Sequence, residues 1–278
     1  MDLPELERRL DALARTNRHH QPAERLDFEI DERVVGSVTV EDARLLAAQV
    51  PGLAVDDSAL SVLPVCAPDA PAVLQVIAQV LRAAGRTGKW RNEALPVCAD
   101  DGTLMGSIER ACVRTLGIRT FAVHLIGQIA PEAATPAQPR FWLQRRAADK
   151  DIDPNKLDTL AGGLVGMNST GDAREALDLA LRREVEEEAG LSPAQYDRPR
   201  QVGTWRVQRP VAGGFMIEDI IVARAKLHAG VLPVNQDGEV AEFLCVDRAE
   251  LLARLDRGEL TVEAAIATLM SLADLARP

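Results

Sequence analysis

Leu3, Leu6, Leu10 and Leu13 recur at intervals of three and four, which predicts an amphipathic helix over residues 4–15. Short β-like runs follow at 27–30 and 34–40, then a helical stretch over 42–49 that stops at Val50, Pro51 and Gly52. Beyond a Pro-rich interruption at 64–71, Val73, Ile77, Val80, Leu81 and Ala84 form a second helical stripe, closed by Gly85 in the place of a helix C-cap. Residues 1–118 carry no recognisable chemistry. From Gly117 onward Phe121, Val123, Leu125 and Gln128 begin a strand that resumes at 140–146 after the loop PEAATPAQP, read as a long hairpin connection. Further strands are predicted at 202–208, 215–226 and 239–246, and helices at 172–189, 248–255 and 262–275. The order is mixed α and β, without internal repeats.

The helix at 172–189 is the informative one. Asp172 stands near its start and Gly190 at its end. At roughly 100° per residue, Leu177 and Leu181 define an apolar direction, with Ala173, Ala180 and Val185 near it. Glu184 and Glu188 fall within roughly 20° of that direction, Glu187 lies on its flank, and only Glu186 points away. Most runs of glutamate are solvated helix faces. Here two carboxylates occupy the stripe the helix should bury, and an unpaired buried carboxylate costs several kcal/mol. A positive partner is required. A hard divalent cation such as Mg²⁺ takes oxygen ligands and is commonly shared with substrate phosphates; an arginine cluster is the competing answer, although Arg182 and Arg183 are expected to project elsewhere.

Composition narrows the classes. The 278 residues allow one large or two modest domains, and 47% hydrophobic against 27% charged describes a globular chain. Thirty-two Lys and Arg against 42 Asp and Glu leave a net charge of −10, which repels a nucleic-acid backbone. Cys66, Cys98, Cys112 and Cys245 stand apart, forming neither a CxxC pair nor a disulfide framework. The start MDLPELERRLD lacks the basic flank and apolar core of a signal peptide, and no apolar run approaches about 18 residues. The expectation is a cytoplasmic protein with no membrane and no nucleic-acid polymer as partner.

The residues Arg183, Glu184, Val185, Glu187, Glu188, Gly190 and Leu191, with Glu175 eight positions before Arg183, resemble the Nudix box GX5EX7REUXEEXGU, where U is bulky and aliphatic. Eight of nine specified residues are present; Ser169 replaces the first glycine, and the Gly162–Gly163 pair lies about six residues further upstream than in the standard box. In a continuous helix Glu175 projects roughly opposite Glu184. The segments 90–93, 108–111 (IERA), the strand around His124, 145–166 and 237–243 (DGEVAEF) are similar to a subfamily that includes plant Nudix proteins and the front part of fungal thiamine pyrophosphokinases. The resemblance implies an α+β fold, a Nudix α/β/α sandwich with a mixed sheet over 119–278, preceded by a smaller α/β domain of unknown role over 1–118. It assigns Mg²⁺ or Mn²⁺ to Glu184, Glu187, Glu188 and, more weakly, the Gly162 carbonyl. Arg183, Gly190 and Glu175 are then structural parts of the box.

Arg145, Arg146 and Lys150, just before the Gly-Gly pair, can aim cations at a diphosphate or merely solubilise a hairpin end. Glu239 is a further candidate ligand or base, and the general base is open among Glu184, Glu187 and Glu239. Trp205 and Phe215 are read as core rather than stacking platforms, and His124 as a satisfied core histidine. GMNSTGD lacks the lysine and spacing of a P-loop. The implied activity is metal-dependent hydrolysis of a diphosphate linkage in a small metabolite, thiamine diphosphate or an oxidised analogue first, nucleoside diphosphate derivatives next. A homodimer is compatible with this reading. Two rivals are a diphosphate sensor without turnover and an isomerase resembling the isopentenyl diphosphate enzymes, for which Cys245 is the sole cysteine in the segment.

Overall fold

The computed structural model describes residues 1–129, 139–150, 152–167 and 172–277; most of the PEAATPAQP loop, and Ser169 within GMNSTGD, lie outside the described residues. The chain begins with α1 (Leu3–Thr16), β1 (Arg25–Ile30), β2 (Arg33–Thr39), α2 (Val40–Gln49), β3 (Leu53–Val55), β4 (Ala59–Val62) and α3 (Ala70–Ala83), followed by the ribbon β5 (Ala94–Cys98) and β6 (Leu104–Glu109). It continues through β7 (Arg119–Ile129), β8 (Arg140–Arg146), β9 (Leu157–Asp158), β10 (Ala161–Leu164), α4 (Ala173–Ala189), β11 (Arg200–Val211), β12 (Gly214–Leu227), β13 (Val240–Val246), α5 (Arg248–Asp256) and α6 (Val262–Ala276).

Strands β2-β1-β4-β3 form one sheet, with β1 and β4 parallel, and α2 and α3 share its core. The larger sheet runs β11-β12-β7-β8-β13, with β10 on β7 and β9 on β8, and it is mixed because β7 and β12 pair in parallel. Its faces separate by residue parity, as a strand period of two requires. On β12, Met216, Ile220 and Val222 join the core under α5 and α6, while Ile221, Ala223, Ala225 and Leu227 join the core under α4. Phe141 and Leu143 of β8 go the first way and Trp142 the second. The result is a helix/sheet/helix sandwich, and the expected mixed α+β class holds.

Helix α1 departs from its expected place with residues 1–118. Leu6, fully buried, belongs to the α6 core at the far end of the chain, and Leu3, Leu10 and Leu13 pack beside it. Its apolar stripe finds its cover there. The short strands β3, β4, β5, β6, β9 and β10 have no counterpart in the pattern reading, because runs of two to six residues carry too few alternations to register.

Candidate functional site

Helix α4 starts where Asp172 caps it, its carboxylate accepting from Arg174 N and Glu175 N, and stops at Gly190, whose φ of 63° suits glycine. Between those ends α4 lies on β10, with Ala180, Leu181, Val185 and Ala189 in the core. Glu184 and Glu188 share that inward side: Glu188 is 3% exposed and the Glu184 side chain 13%, while the Glu187 side chain is 54% exposed. The angular expectation for the three holds.

Glu188 Oε2 accepts from Gly162 N at 2.9 Å and from Gln144 Nε2 at 2.9 Å. Burial pushes its carboxyl up to about 8, aided by repulsion from Glu184 and Asp158 and opposed by those two donors. Gly163 faces Glu184 so closely that a Cβ there would collide with the carboxylate. The Gly-Gly pair thus serves close approach: one glycine donates to Glu188, the next makes room for Glu184. Partial burial and the neighbouring Glu184 raise the Glu187 carboxyl above its ordinary range. Beneath them Asp158 accepts from Arg146 Nη1 at 3.0 Å and stands 3.7 Å from His124 Nδ1.

Several expectations need correction. Arg183 does not project elsewhere; its Nη2 donates to Glu184 at 2.6 Å and to the Leu164 carbonyl at 3.0 Å, and its Nε lies 3.9 Å from Glu187. Arginine therefore supplies part of the positive partner that the buried carboxylates demanded. Arg145 pairs with Glu242 at 2.5 Å, Arg146 with Asp158, and Lys150 with Glu239, so the candidate cations and the candidate late acid are already joined in pairs. Burial lowers the Lys150 ammonium below its ordinary range, with nearby Glu188 resisting. Glu175 is exposed in the first turn of α4, in a shallow groove with Arg174, Arg182 and Arg198, away from the glycine strand. His124 is buried against Thr159 Oγ1 at 3.2 Å, and Phe215 is buried in the core, as read; Trp205 is half-buried with Arg18 over its ring. Burial pushes the Cys245 thiol up, away from the thiolate an isomerase would use.

Two polar residues of the site were missed. Gln144 shares the parity of Trp142 on β8 and so faces α4, and its buried Oε1 has no hydrogen-bond partner among the described residues. Asp158 pairs in register with Gln144. The alternation of β8 was the available signal for Gln144.

The NUDIX domain family model matches residues 133–266. Over that segment the chain is similar to the Nudix superfamily. Nudix hydrolase 24, chloroplastic, from Arabidopsis thaliana is 30% identical over 182 residues, covering 64% of this chain and 47% of that protein. Nudix hydrolase 20, chloroplastic, from the same plant is 31% identical over 183 residues, covering 64% and 46%. The chain thus spans about half the length of the plant Nudix proteins it matches. A crystal structure from Deinococcus radiodurans aligns with 65% of this chain and 99% of its own at 22% identity and a TM-score of 0.44.

Nudix hydrolases generally use divalent metals. The donors here suit a hard cation in kind: three carboxylates on one helix turn, one of them buried with no cationic partner within ion-pair distance among the described residues, beside the orphaned Gln144 oxygen. A closed cage is not assembled. Among the described residues no three acidic, histidine or cysteine side chains converge as ligands, since Glu184 is turned to Arg183.

Proposed function

We propose that the protein is a metal-dependent hydrolase that cleaves a diphosphate linkage in a small metabolite, with the α4 carboxylates as its reaction centre. The observation carrying this reading is the inward turn of Glu184 and Glu188 onto the Gly162–Gly163 strand, within a segment that matches the NUDIX domain. Glu184, Glu187 and Glu188, with the Gly162 carbonyl, are the residues that would hold Mg²⁺ or Mn²⁺. Such an ion, when bound, neutralises charge on the diphosphate oxygens. Water attacks phosphorus, the bridging P–O bond breaks, and a phosphate or monophosphate leaves. Glu187, the most open of the three, would take the proton of the attacking water, its exposure supporting that choice over Glu184 and Glu239. Gln144 and Gly162 N hold Glu188 in place from behind. Lys150, beside Glu239 and near Glu188, is a cation that would meet a substrate oxygen. Thiamine diphosphate or an oxidised analogue heads the substrate series, with nucleoside diphosphate derivatives next.

The test is a substrate panel with Mg²⁺, Mn²⁺ or EDTA, read by phosphorus NMR for new phosphate or monophosphate. Metal-dependent cleavage that Glu187→Gln reduces by about a hundredfold supports the reading; intact substrates throughout, or turnover indifferent to Glu187→Gln, overturn the assignment. A second reading, a diphosphate-binding module without turnover, draws on the pairing of Arg183 with Glu184, which partly neutralises the centre from within. Binding of the same panel without cleavage is its signature.

A further inference from the structure

A cavity of about 220 Å³ lies where residues 88–118 meet the start of β12, and part of its wall comes from the stretch of chain in which the sequence showed no chemistry. Its described lining holds six cations, Lys89, Arg91, Arg110, Arg114, Arg146 and Lys150, against two acids, Glu218 and Glu239. In a chain of net charge −10 such a surplus is local, and low-dielectric walls focus its field. The wall is fixed in place. Buried Glu109 accepts from Arg91 N at 2.8 Å and Glu93 N at 3.1 Å, Gly88 N donates to the Ala111 carbonyl, and Phe215 N donates to the Arg114 carbonyl at 2.9 Å. These bonds tie together the 90–93 and IERA segments.

The cations differ in commitment. Arg110, Arg146 and Lys150 each have a carboxylate partner. Lys89 and Arg114 have none within ion-pair distance among the described residues, and Arg114 is half-buried, with Glu218 and Glu263 acting on it only from beyond that distance. Val113, Ile118 and Phe215 make an apolar floor. The cavity reaches the carboxylate centre on one side, since Lys150, Glu239 and Leu164 line it and the Leu164 carbonyl holds Arg183. Its volume falls below the roughly 300 Å³ at which pockets begin to enclose drug-sized ligands, so it suits a compact charged group rather than a whole nucleotide.

We propose that this cavity is an oxyanion subsite in which Lys89 and Arg114 hold a second phosphate of the substrate, apart from the linkage being cleaved. The inference rests on the diphosphate reading of the α4 centre and reorders its substrate series, placing nucleoside diphosphate derivatives that carry a further phosphate at the non-reacting end ahead of thiamine diphosphate, which has none. The residues before β7 then contribute directly to substrate choice.

Isothermal titration with inorganic phosphate in EDTA tests the subsite without turnover, since the metal-free carboxylates repel the probe. One phosphate is expected to bind the wild-type chain, with Lys89→Glu and Arg114→Gln each weakening it roughly tenfold and Glu187→Gln leaving it unchanged. Lys89 is exposed, so its reversal is readable even if Arg114→Gln fails to fold. In hydrolysis assays Lys89→Glu should raise KM about tenfold for substrates with the extra phosphate, leave kcat unchanged, and leave KM unaltered for substrates lacking it. Phosphate binding that depends on Lys89 in a chain that hydrolyses nothing keeps the subsite and removes the hydrolase reading. Hydrolysis with phosphate binding and KM indifferent to both variants removes the subsite and keeps the hydrolase.

Discussion

Replacing Glu188 by glutamine in the metal-free protein should stabilise it, and increasingly so as the pH rises. An ordinary glutamate titrates near 4.5, whereas burial holds this carboxyl up to about 8 in the folded chain. Below 4.5 both states are protonated and the group contributes no pH dependence. Between 4.5 and about 8 the unfolded chain sheds a proton that the folded chain keeps, so the unfolded state binds fewer protons and stability falls with pH. At about 1.4 kcal/mol per pH unit the full interval corresponds to roughly 5 kcal/mol as an upper bound. Because the titration is shared with neighbouring carboxylates, about half of that is expected from this residue alone. The substitution is sterically gentle. Gly162 N keeps an oxygen acceptor, and the Gln144 amide, whose Oε1 is now unpartnered, can turn that oxygen toward the new NH₂. Urea midpoints in EDTA at about pH 5.5, 7 and 8.5 measure the effect: the wild-type midpoint should drop across the series while Glu188→Gln stays nearly level. Excess Mg²⁺ should then restore the wild type and move the variant less. Parallel slopes for the two proteins, or a wild type that gains on the variant as pH rises, would refute the buried, unpaired carboxyl.

Gly163→Ala tests the close approach on β10: the added methyl must displace the Glu184 carboxylate, so turnover should fall about tenfold or more while the melting temperature moves little, and unchanged kinetics would mean that Glu184 need not sit there. Leu6→Ala should cost about 2–5 kcal/mol of stability by chemical denaturation because the side chain is fully buried in the α6 core; a cost below about 1 kcal/mol would detach α1 from that core. Gly190→Ala should cost more than about 1 kcal/mol, because the added methyl meets both a φ of 63° and the Val234 carbonyl; chemical denaturation measures it, and a neutral result would argue against the left-handed cap.

The parts of the site legible in the sequence are those set by local geometry. Helical rotation alone turns Glu184 and Glu188 inward, and Asp172 and Gly190 mark the ends of α4 through capping and backbone freedom. The positions of β7, β8, β11, β12 and β13 follow from their alternation, with ends shifted by a few residues. Gln144 was equally within reach, since it stands two positions after Trp142 on the same face of β8. Contacts between distant segments were not legible. Arg183 reaches Glu184 only because its long side chain curls along the helix to the Leu164 carbonyl of β10. The pairings of Arg145 with Glu242 and Lys150 with Glu239 depend on β8 lying beside β13, roughly a hundred residues later. The cationic wall around Arg110 and Arg114 has no spacing signature, because it forms where one sheet's connecting segment meets the start of β12. Helix α1 displays a clear apolar stripe, but the identity of its cover, α6, is a fact of topology.

The inward carboxylates of α4 as a divalent-metal centre are the core of this account, and a Mn²⁺ titration followed by electron paramagnetic resonance addresses them without assuming a substrate. The wild-type chain should bind Mn²⁺ at a site that Glu184→Gln and Glu188→Gln each weaken by about tenfold or more, with Glu175→Gln behaving as wild type. Mn²⁺ binding indifferent to Glu184 and Glu188, or absent from a folded wild-type protein, would contradict it.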